Sequence, residues 1–250
     1  MINIIKNILE LNKKFKEIKN KGWIQSTING NSSIGRTFET QIGNNENSLE
    51  IPDYKGIEIK TKISKKNIFI TLFNCKPEGL YYKETERLKN AYGYYNFKSK
   101  EYKVLNNSIY CKKETIIGEN YKFKLNVDRK NEKIYLYIYD INNLLIENNT
   151  YWDFDVLKEK LYRKMKYLAY VKGIKKYTKD GIYFKYTRIN FYKLKNFEEF
   201  IKMIEQDKIR ITLKIGVYKR GKKKDRTYDH GTGFDICEKN ILDLYDEIIL

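Results

Sequence analysis

Two carboxylates and a lysine stand close together in the first quarter of the chain: Asp53, then Glu58 and, two positions later, Lys60. Such a trio suits hydrolysis of a phosphodiester. Acids can share a divalent cation, which polarises a phosphoryl oxygen and makes a bound water more acidic, while a lysine adds positive charge at the attacked phosphate. Side chains alternate along an extended segment, so Glu58, Lys60 and Lys62 share one face while Ile57 and Ile59 point into a core. Tyr54, Lys55 and Gly56 form a turn that would carry Asp53 back beside Glu58. The trio alone leaves two readings open, because in a chain with 33% charged residues such a strand is more often a solvated face.

Composition narrows the choice. A formal charge of +18 surrounds these acids, and a surface so positive suits a polyanionic partner, nucleic acid before all others. With 250 residues, 41% hydrophobic and 15% aromatic, the chain can bury a core in one or two domains and is no disordered basic tail. Cys75, Cys111 and Cys237 are odd in number and widely spaced, and there is a single histidine, which argues against a disulfide framework and a Cys/His zinc site and fits a reducing cytoplasm. No apolar run approaches the roughly 18 residues of a membrane span. Ile4, Ile5, Ile8 and Leu9, interrupted by charges, read as an amphipathic helix and not a signal peptide.

The elements that must position the trio follow from periodicity. A helix from about Asn3 to Lys19 stops near Gly22, and a second from Ile34 to Ile42 ends at Gly43. Glu39 on the second helix either touches the metal through water or is an ordinary exposed glutamate. Asn67 to Phe73 reads as a buried strand forming a hairpin with the Glu58 strand. Glu84 to Tyr92 is helical, and Gly93 to Lys113 is either an arm around a duplex or a loose connection. Lys122–Val127 and Ile134–Tyr139 form a hairpin about Lys130 and Asn131, and Trp152 to Lys164 is a helix capped by Asp153. A short strand at Tyr167–Val171, a strand at Ile182–Ile189, a helix at Phe197–Gln206 and a strand at Ile209–Tyr218 complete a mixed α/β pattern.

After that last strand comes the densest cationic patch: Lys219, Arg220, Lys222, Lys223, Lys224 and Arg226, six cations within eight residues. It is either a solvated hairpin loop or a phosphate-binding one, in which a nucleic-acid backbone relieves the mutual repulsion. His230 follows in an Asp-His-Gly-Thr-Gly segment. As a lone imidazole it could be a base, a ligand or a surface residue, but its place beyond the basic loop suits donation to a guanine edge or a phosphate.

Several ordered segments together resemble one family. Ile34 to Glu39, Pro52 and Asp53, Gly56 to Thr61, Tyr151 to Phe154 and Ile215 to Phe234 look like the MvaI/BcnI type of type II restriction endonuclease, in the PD-(D/E)xK superfamily, and above all its MvaI branch. The likeness spans nearly the whole chain and extends more distantly to the mismatch-repair nickase MutH. It implies an α/β fold with a mixed sheet carrying the active site and a second, DNA-recognition lobe, here a catalytic lobe of about residues 1–92 followed by an arm and recognition lobe of about 93–250. It also implies cleavage of double-stranded DNA with Mg²⁺ to leave 5′-phosphate ends, by a monomer that cuts the two strands in succession. The setting would be a bacterial cytoplasm, with a protective methyltransferase in the host but no stable complex with it.

In that reading Asp53, Glu58, Lys60 and Glu39 fall on catalytic positions, with Asp53, Glu58 and the Ile59 carbonyl around the metal. The DNA-binding set is Thr212, Lys214, Lys219, Arg220, Lys222, Lys223, Lys224, Arg226, Tyr228, His230 and Asp235. The chain departs from the branch where bases are read. Thr212 and Lys214 replace an acid and an arginine, and Asp235 stands where an arginine is expected. Lysine reads guanine less rigidly than arginine's fork, and Asp235 has no donor but can accept from a cytosine amino group. Two alternatives remain: a MutH-like strand nickase, and a basic nucleic-acid-binding protein without catalysis.

Overall fold

The Glu58–Ile63 segment is a strand, and it closes one end of a five-stranded mixed sheet. The computed structural model describes residues 2–30, 32–43, 51–65, 68–96, 99–219 and 221–250. Asn67, expected to open a strand, and Arg220 of the basic loop lie outside the described residues. By contacts the chain forms two units. One comprises Met1–Ile68, Leu161–Lys195 and Ile241–Leu250, the other Phe69–Lys160 and Asn196–Asn240, so both are discontinuous and neither follows the linear division at residue 92.

In the first unit the central feature is a long antiparallel hairpin of Tyr167–Thr178 and Gly181–Leu194. Its first strand also pairs in parallel with Glu58–Ile63, placing Glu58 opposite Leu168, Lys60 opposite Tyr170 and Lys62 opposite Lys172. The second strand carries two short partners, Ile24–Gln25 and Tyr245–Ile248. Helices Ile2–Asn20 and Ser33–Gln41 contribute to one core with this sheet. Ile8, Leu11, Phe15 and Ile18 recur every three or four residues on the first helix and meet Phe38, Ile57, Ile59, Ala169, Val171 and Phe184. The hairpin strands run past the expected Tyr167–Val171 and Ile182–Ile189: the outer half of the first is exposed and carries charges that obscure the apolar alternation, and the second continues through the largely buried Asn190–Leu194.

The second unit is built on two four-stranded antiparallel sheets. One orders Leu145–Asp153, Lys133–Asp140, Tyr121–Asp128 and Thr115–Ile117, the other Phe69–Asn74, Gly233–Cys237, Ile209–Thr212 and Ser108–Ile109. Phe73, Phe200 and Phe234 cluster within it, the Phe73 and Phe234 rings stacking at 5.0 Å. The buried Trp152 indole donates to the Cys75 carbonyl at 3.0 Å.

Four expectations need correction. The segment Ile209–Tyr218 is not one strand but two in different sheets, Ile209–Thr212 beside Gly233–Cys237 and Ile215–Val217 beside Thr227–Asp229, because the chain changes partners at Leu213 and Lys214. The strand Phe69–Asn74 does not pair with the Glu58 strand but lies antiparallel to Gly233–Cys237. Alternation announces a strand without naming its partner, and the true partner of Glu58–Ile63 comes far later in the chain. Trp152 and Asp153 end a strand, and the helix begins at Phe154, since pairing with Ile134 and Lys133 holds both residues extended. Gly93 to Lys113 is no loose connection: Tyr94–Asn96 pairs with Ser99–Val104, and Leu105 bridges to Ile215.

Phe38 is fully buried, its ring 5.1 Å from Tyr186 and 6.4 Å from Phe15. Phe38→Ala should therefore lower stability by about 3–5 kcal/mol, read as a fall in the urea midpoint with the slope unchanged. A loss below about 1 kcal/mol would mean that the helix pair does not seal this core.

Candidate active site

Tyr54 and Ile57 exchange backbone hydrogen bonds of 2.9 and 2.8 Å around Lys55 and Gly56, whose φ angles are +44° and +87°. Two successive positive φ values make the tight reversal that joins antiparallel segments, and glycine at the second position adopts it without strain. The reversal returns Asp53 to the start of the strand, where its Oδ2 accepts from the Ile59 amide at 2.9 Å. That bond identifies the free edge. In a strand the N–H and C=O of one residue point the same way, so the Ile59 carbonyl also faces the Asp53 side, away from the Tyr167–Thr178 strand.

Glu58 is only 1% exposed. Its Oε1 accepts from the Lys60 ammonium at 2.7 Å, and a second ammonium, Lys164, stands 3.5 Å away, while Oε2 is buried without a hydrogen-bond partner among the described residues. Burial raises the Glu58 carboxyl above its usual range and the charge of Asp53 adds to this, against the pull of Lys60 and Lys164. Glu39 is half-buried, and its carboxyl is raised first by burial and next by Asp53, with Lys60, Arg36 and Lys164 opposing. Glu39 is thus within electrostatic reach of Asp53 and Lys60. Lys164 has no sequence signal of its own. It precedes by four residues the Leu168 that pairs with Glu58, and only the parallel pairing brings it here.

A divalent cation fits these residues. An orphaned, buried carboxylate oxygen calls for a hard positive partner, and Asp53 and the Ile59 carbonyl supply more oxygen donors at the same end of the strand. Among the described residues no three acidic, histidine or cysteine side chains form a cage. That suits a cation which keeps several waters and shares its remaining positions with a phosphate.

In the second unit the residues expected to meet DNA fall into two groups. Asp235 is buried, taking hydrogen bonds from Thr71 at 2.6 Å and Thr212 at 2.8 Å, one on each oxygen. Because the Thr212 proton is committed to Asp235, Ser108, 3.1 Å from the Thr212 hydroxyl oxygen, is the donor to it. Lys214 Nζ lies 3.9 Å from Asp235 and Arg210 Nε 3.7 Å, the latter guanidinium stacked 3.5 Å over the Phe69 ring centre. A side chain at Gly233 would approach the Lys214 ammonium to 2.6 Å, so glycine makes room for it.

The other group is the basic hairpin between Ile215–Val217 and Thr227–Asp229. Lys222, Lys223, Lys224 and Arg226 are exposed on it, as is Lys219. Asp225, at φ +67°, accepts from Tyr102 at 2.5 Å, tying the Ser99–Val104 strand to this loop. Exposed His230 meets the Tyr228 ring edge-on at 4.4 Å, and its amide donates to the Lys214 carbonyl at 3.1 Å.

Residues 12–245 match the model of the MvaI/BcnI restriction endonuclease family. A solved structure described as the restriction endonuclease MvaI-cognate DNA substrate complex is 30% identical, with 95% of this chain and 96% of that chain covered and a TM-score of 0.87. Another, restriction endonuclease MvaI in the absence of DNA, is 26% identical over 97% and 96% of the two chains, with a TM-score of 0.61. No curated protein matches the sequence significantly.

The raised carboxyls of Glu58 and Glu39 have a sign that can be measured. Between the ordinary carboxylate value near 4.5 and the raised one, the folded protein holds protons that the unfolded chain has released, so stability falls as pH rises through that window. Glu58→Gln should therefore raise the urea midpoint of the protein in EDTA at about pH 7, with the gain shrinking as pH falls toward the ordinary carboxylate range. A lowered midpoint at about pH 7 would show that the two lysines outweigh burial.

Proposed function

Because the chain belongs to the MvaI/BcnI restriction endonuclease family and is a sequence-specific deoxyribonuclease, we propose that Asp53, Glu58 and Lys60 are its catalytic residues, acting with Mg²⁺ on double-stranded DNA. The observation that carries this reading is the buried Oε2 of Glu58, without a hydrogen-bond partner among the described residues, beside an ammonium and on the strand to which Asp53 is hooked. The family generally uses a divalent metal, and Mg²⁺ is the specific ion proposed. When bound, Mg²⁺ acidifies a water and draws charge from a phosphoryl oxygen.

The chain's own residues supply the geometry. Asp53 and Glu58, with the Ile59 carbonyl, would hold the cation. Lys60 orients the attacking water and offsets charge on the pentavalent phosphate. Lys164, the second ammonium at Glu58, neutralises the same region from the neighbouring helix. Water's oxygen forms the new bond to phosphorus, the bond to the 3′ oxygen breaks, and that oxygen takes up a proton, leaving a 5′-phosphate and a 3′-hydroxyl. Glu39 acts from outside the donor set by keeping the potential at Asp53 negative.

Target choice belongs to the second unit. Lys214, His230 and Tyr228 present donors and ring edges, while Lys219, Arg220, Lys222, Lys223, Lys224 and Arg226 hold phosphates. Asp235 and Thr212 are engaged with each other, which supports their fixing Lys214 more than their reading bases directly. The protein acts as a monomer in a bacterial cytoplasm, beside a methyltransferase that shields host sites.

Digestion of a phage genome with Mg²⁺ and sequencing of the fragment ends should give discrete ends within one short motif; random ends would overturn site specificity. On supercoiled plasmid, open circles should appear first and linear product later, whereas open circles that never become linear would mark a nickase. Lys60→Ala should lower the cleavage rate at least ~10³-fold with DNA binding largely kept. Full activity in that variant would remove the mechanism.

A further inference from the structure

The sheet face that carries Glu58 and Lys60 does not end at the active site. Register fixes which side chains share it, because residues paired directly across a ladder point to the same side. Lys60 lies opposite Tyr170, Lys62 opposite Lys172, and Lys172 opposite Arg188. Thr187 is then the extra residue of a bulge, after which Ile174 pairs with Lys185 and Lys176 with Tyr183. The opposite face is set by Phe184 and Tyr186, both in the core with the two helices. Lys60, Lys62, Lys172, Arg188, Lys185 and Lys176 therefore form one row, from the buried site out along the free part of the hairpin.

Three observations distinguish this row from an ordinary solvated face. Lys176, Lys185 and Arg188 are exposed, and among the described residues no carboxylate pairs with any of them. Aromatic rings are interleaved, with the Lys176 ammonium 4.6 Å from the Trp23 ring centre and 5.5 Å from that of Tyr183. The acids that the described strands place on this face, Glu58 and Glu247, both lie at the opposite end, level with Tyr192, and Glu247 bonds to Asn190. Like charges so aligned repel one another and are relieved by a polyanion laid along them.

We propose that this ribbon binds the phosphate backbone of duplex DNA beside the target sequence, so that the enzyme grips flanking DNA with the same sheet that cuts. The proposal rests on the DNA-cleaving reading of Asp53, Glu58 and Lys60 and adds a contact outside the second unit. From the level of Lys60 to Lys176 is six residues. At roughly 3.3 Å per residue that is about 20 Å, the length of about six base pairs at 3.4 Å per step. The ribbon therefore reaches about half a turn of duplex from the cut phosphate.

The test compares wild type with a Lys176→Ser, Lys185→Ser, Arg188→Ser variant on target duplexes with flanks of either about three or about twelve base pairs, with Ca²⁺ replacing Mg²⁺ for binding. Wild type should bind the long-flank duplex more tightly, and the variant should lose that preference. Its plot of log affinity against log salt should flatten by about 2–3 units, near 0.9 per lost phosphate contact. First-order cleavage at saturating enzyme should be unchanged. An exchanged-cation variant, Lys176→Arg, Lys185→Arg, Arg188→Lys, should keep the preference, which separates charge from fold. Equal wild-type affinity for both flank lengths, or an equal loss by the serine variant on both, would overturn the ribbon while leaving cleavage intact. Absence of discrete cleavage by wild type would instead remove the reading beneath it.

Discussion

The parallel pairing of Glu58–Ile63 with the Leu168–Gly173 segment is the constraint on which the rest of the first unit depends. It fixes which residues of a short strand look inward and which look toward solvent, and a slip by one residue would exchange Glu58 and Lys60 for Ile57 and Ile59. It leaves the other edge of the strand to Asp53, whose hydrogen bond to the Ile59 amide takes the place of a further strand. It also brings Lys164 to Glu58. A single ladder thus sets the spacing of acids, ammoniums and a backbone carbonyl, with little left to side-chain flexibility.

Each unit repeats one electrostatic device, a buried carboxylate around which two cations gather. In the first unit the carboxylate is Glu58, with Lys60 and Lys164; in the second it is Asp235, with Arg210 and Lys214. The difference lies in the satisfaction of the oxygens. Asp235 has both engaged by threonine hydroxyls, so it is finished as a structural clamp. Glu58 has one oxygen without a hydrogen-bond partner among the described residues, which leaves it open to a positive group. In a chain of net charge +18, such placement of a few acids decides where positive charge is held and where it is presented.

Local features of the fold were legible in the sequence. The helix Glu84–Tyr92, the hairpin Tyr121–Asp128 with Lys133–Asp140 and the helix Ser33–Gln41 all lie within a residue or so of the periodicity reading. The turn at Lys55 and Gly56 did what its glycine promised. Pairing was not legible. Phe69–Asn74 looks like the neighbour of the Glu58 strand only because it follows it, and the outer half of Tyr167–Thr178 is hidden by its charges. Lys164 was missed for the same reason, since a lysine among lysines acquires meaning only from a contact distant in sequence. The type of Asp235 suggests a base reader, and nothing in the sequence announces that its oxygens accept from Thr71 and Thr212.

The chain visits each unit more than once, and its last strand, Tyr245–Ile248, pairs with Gly181–Leu194 in the unit that residue 2 begins. Synthesis runs from the N-terminus, so Glu58 and Lys60 emerge long before the segment that must lie beside them. Non-local, parallel contacts of this kind form late and together. Asp53, Glu58 and Lys60 are therefore present in the nascent polypeptide before the strand that completes their supporting ladder. Topology of this kind makes the order of Glu58 and Lys60 wait on a segment more than a hundred residues further along the chain.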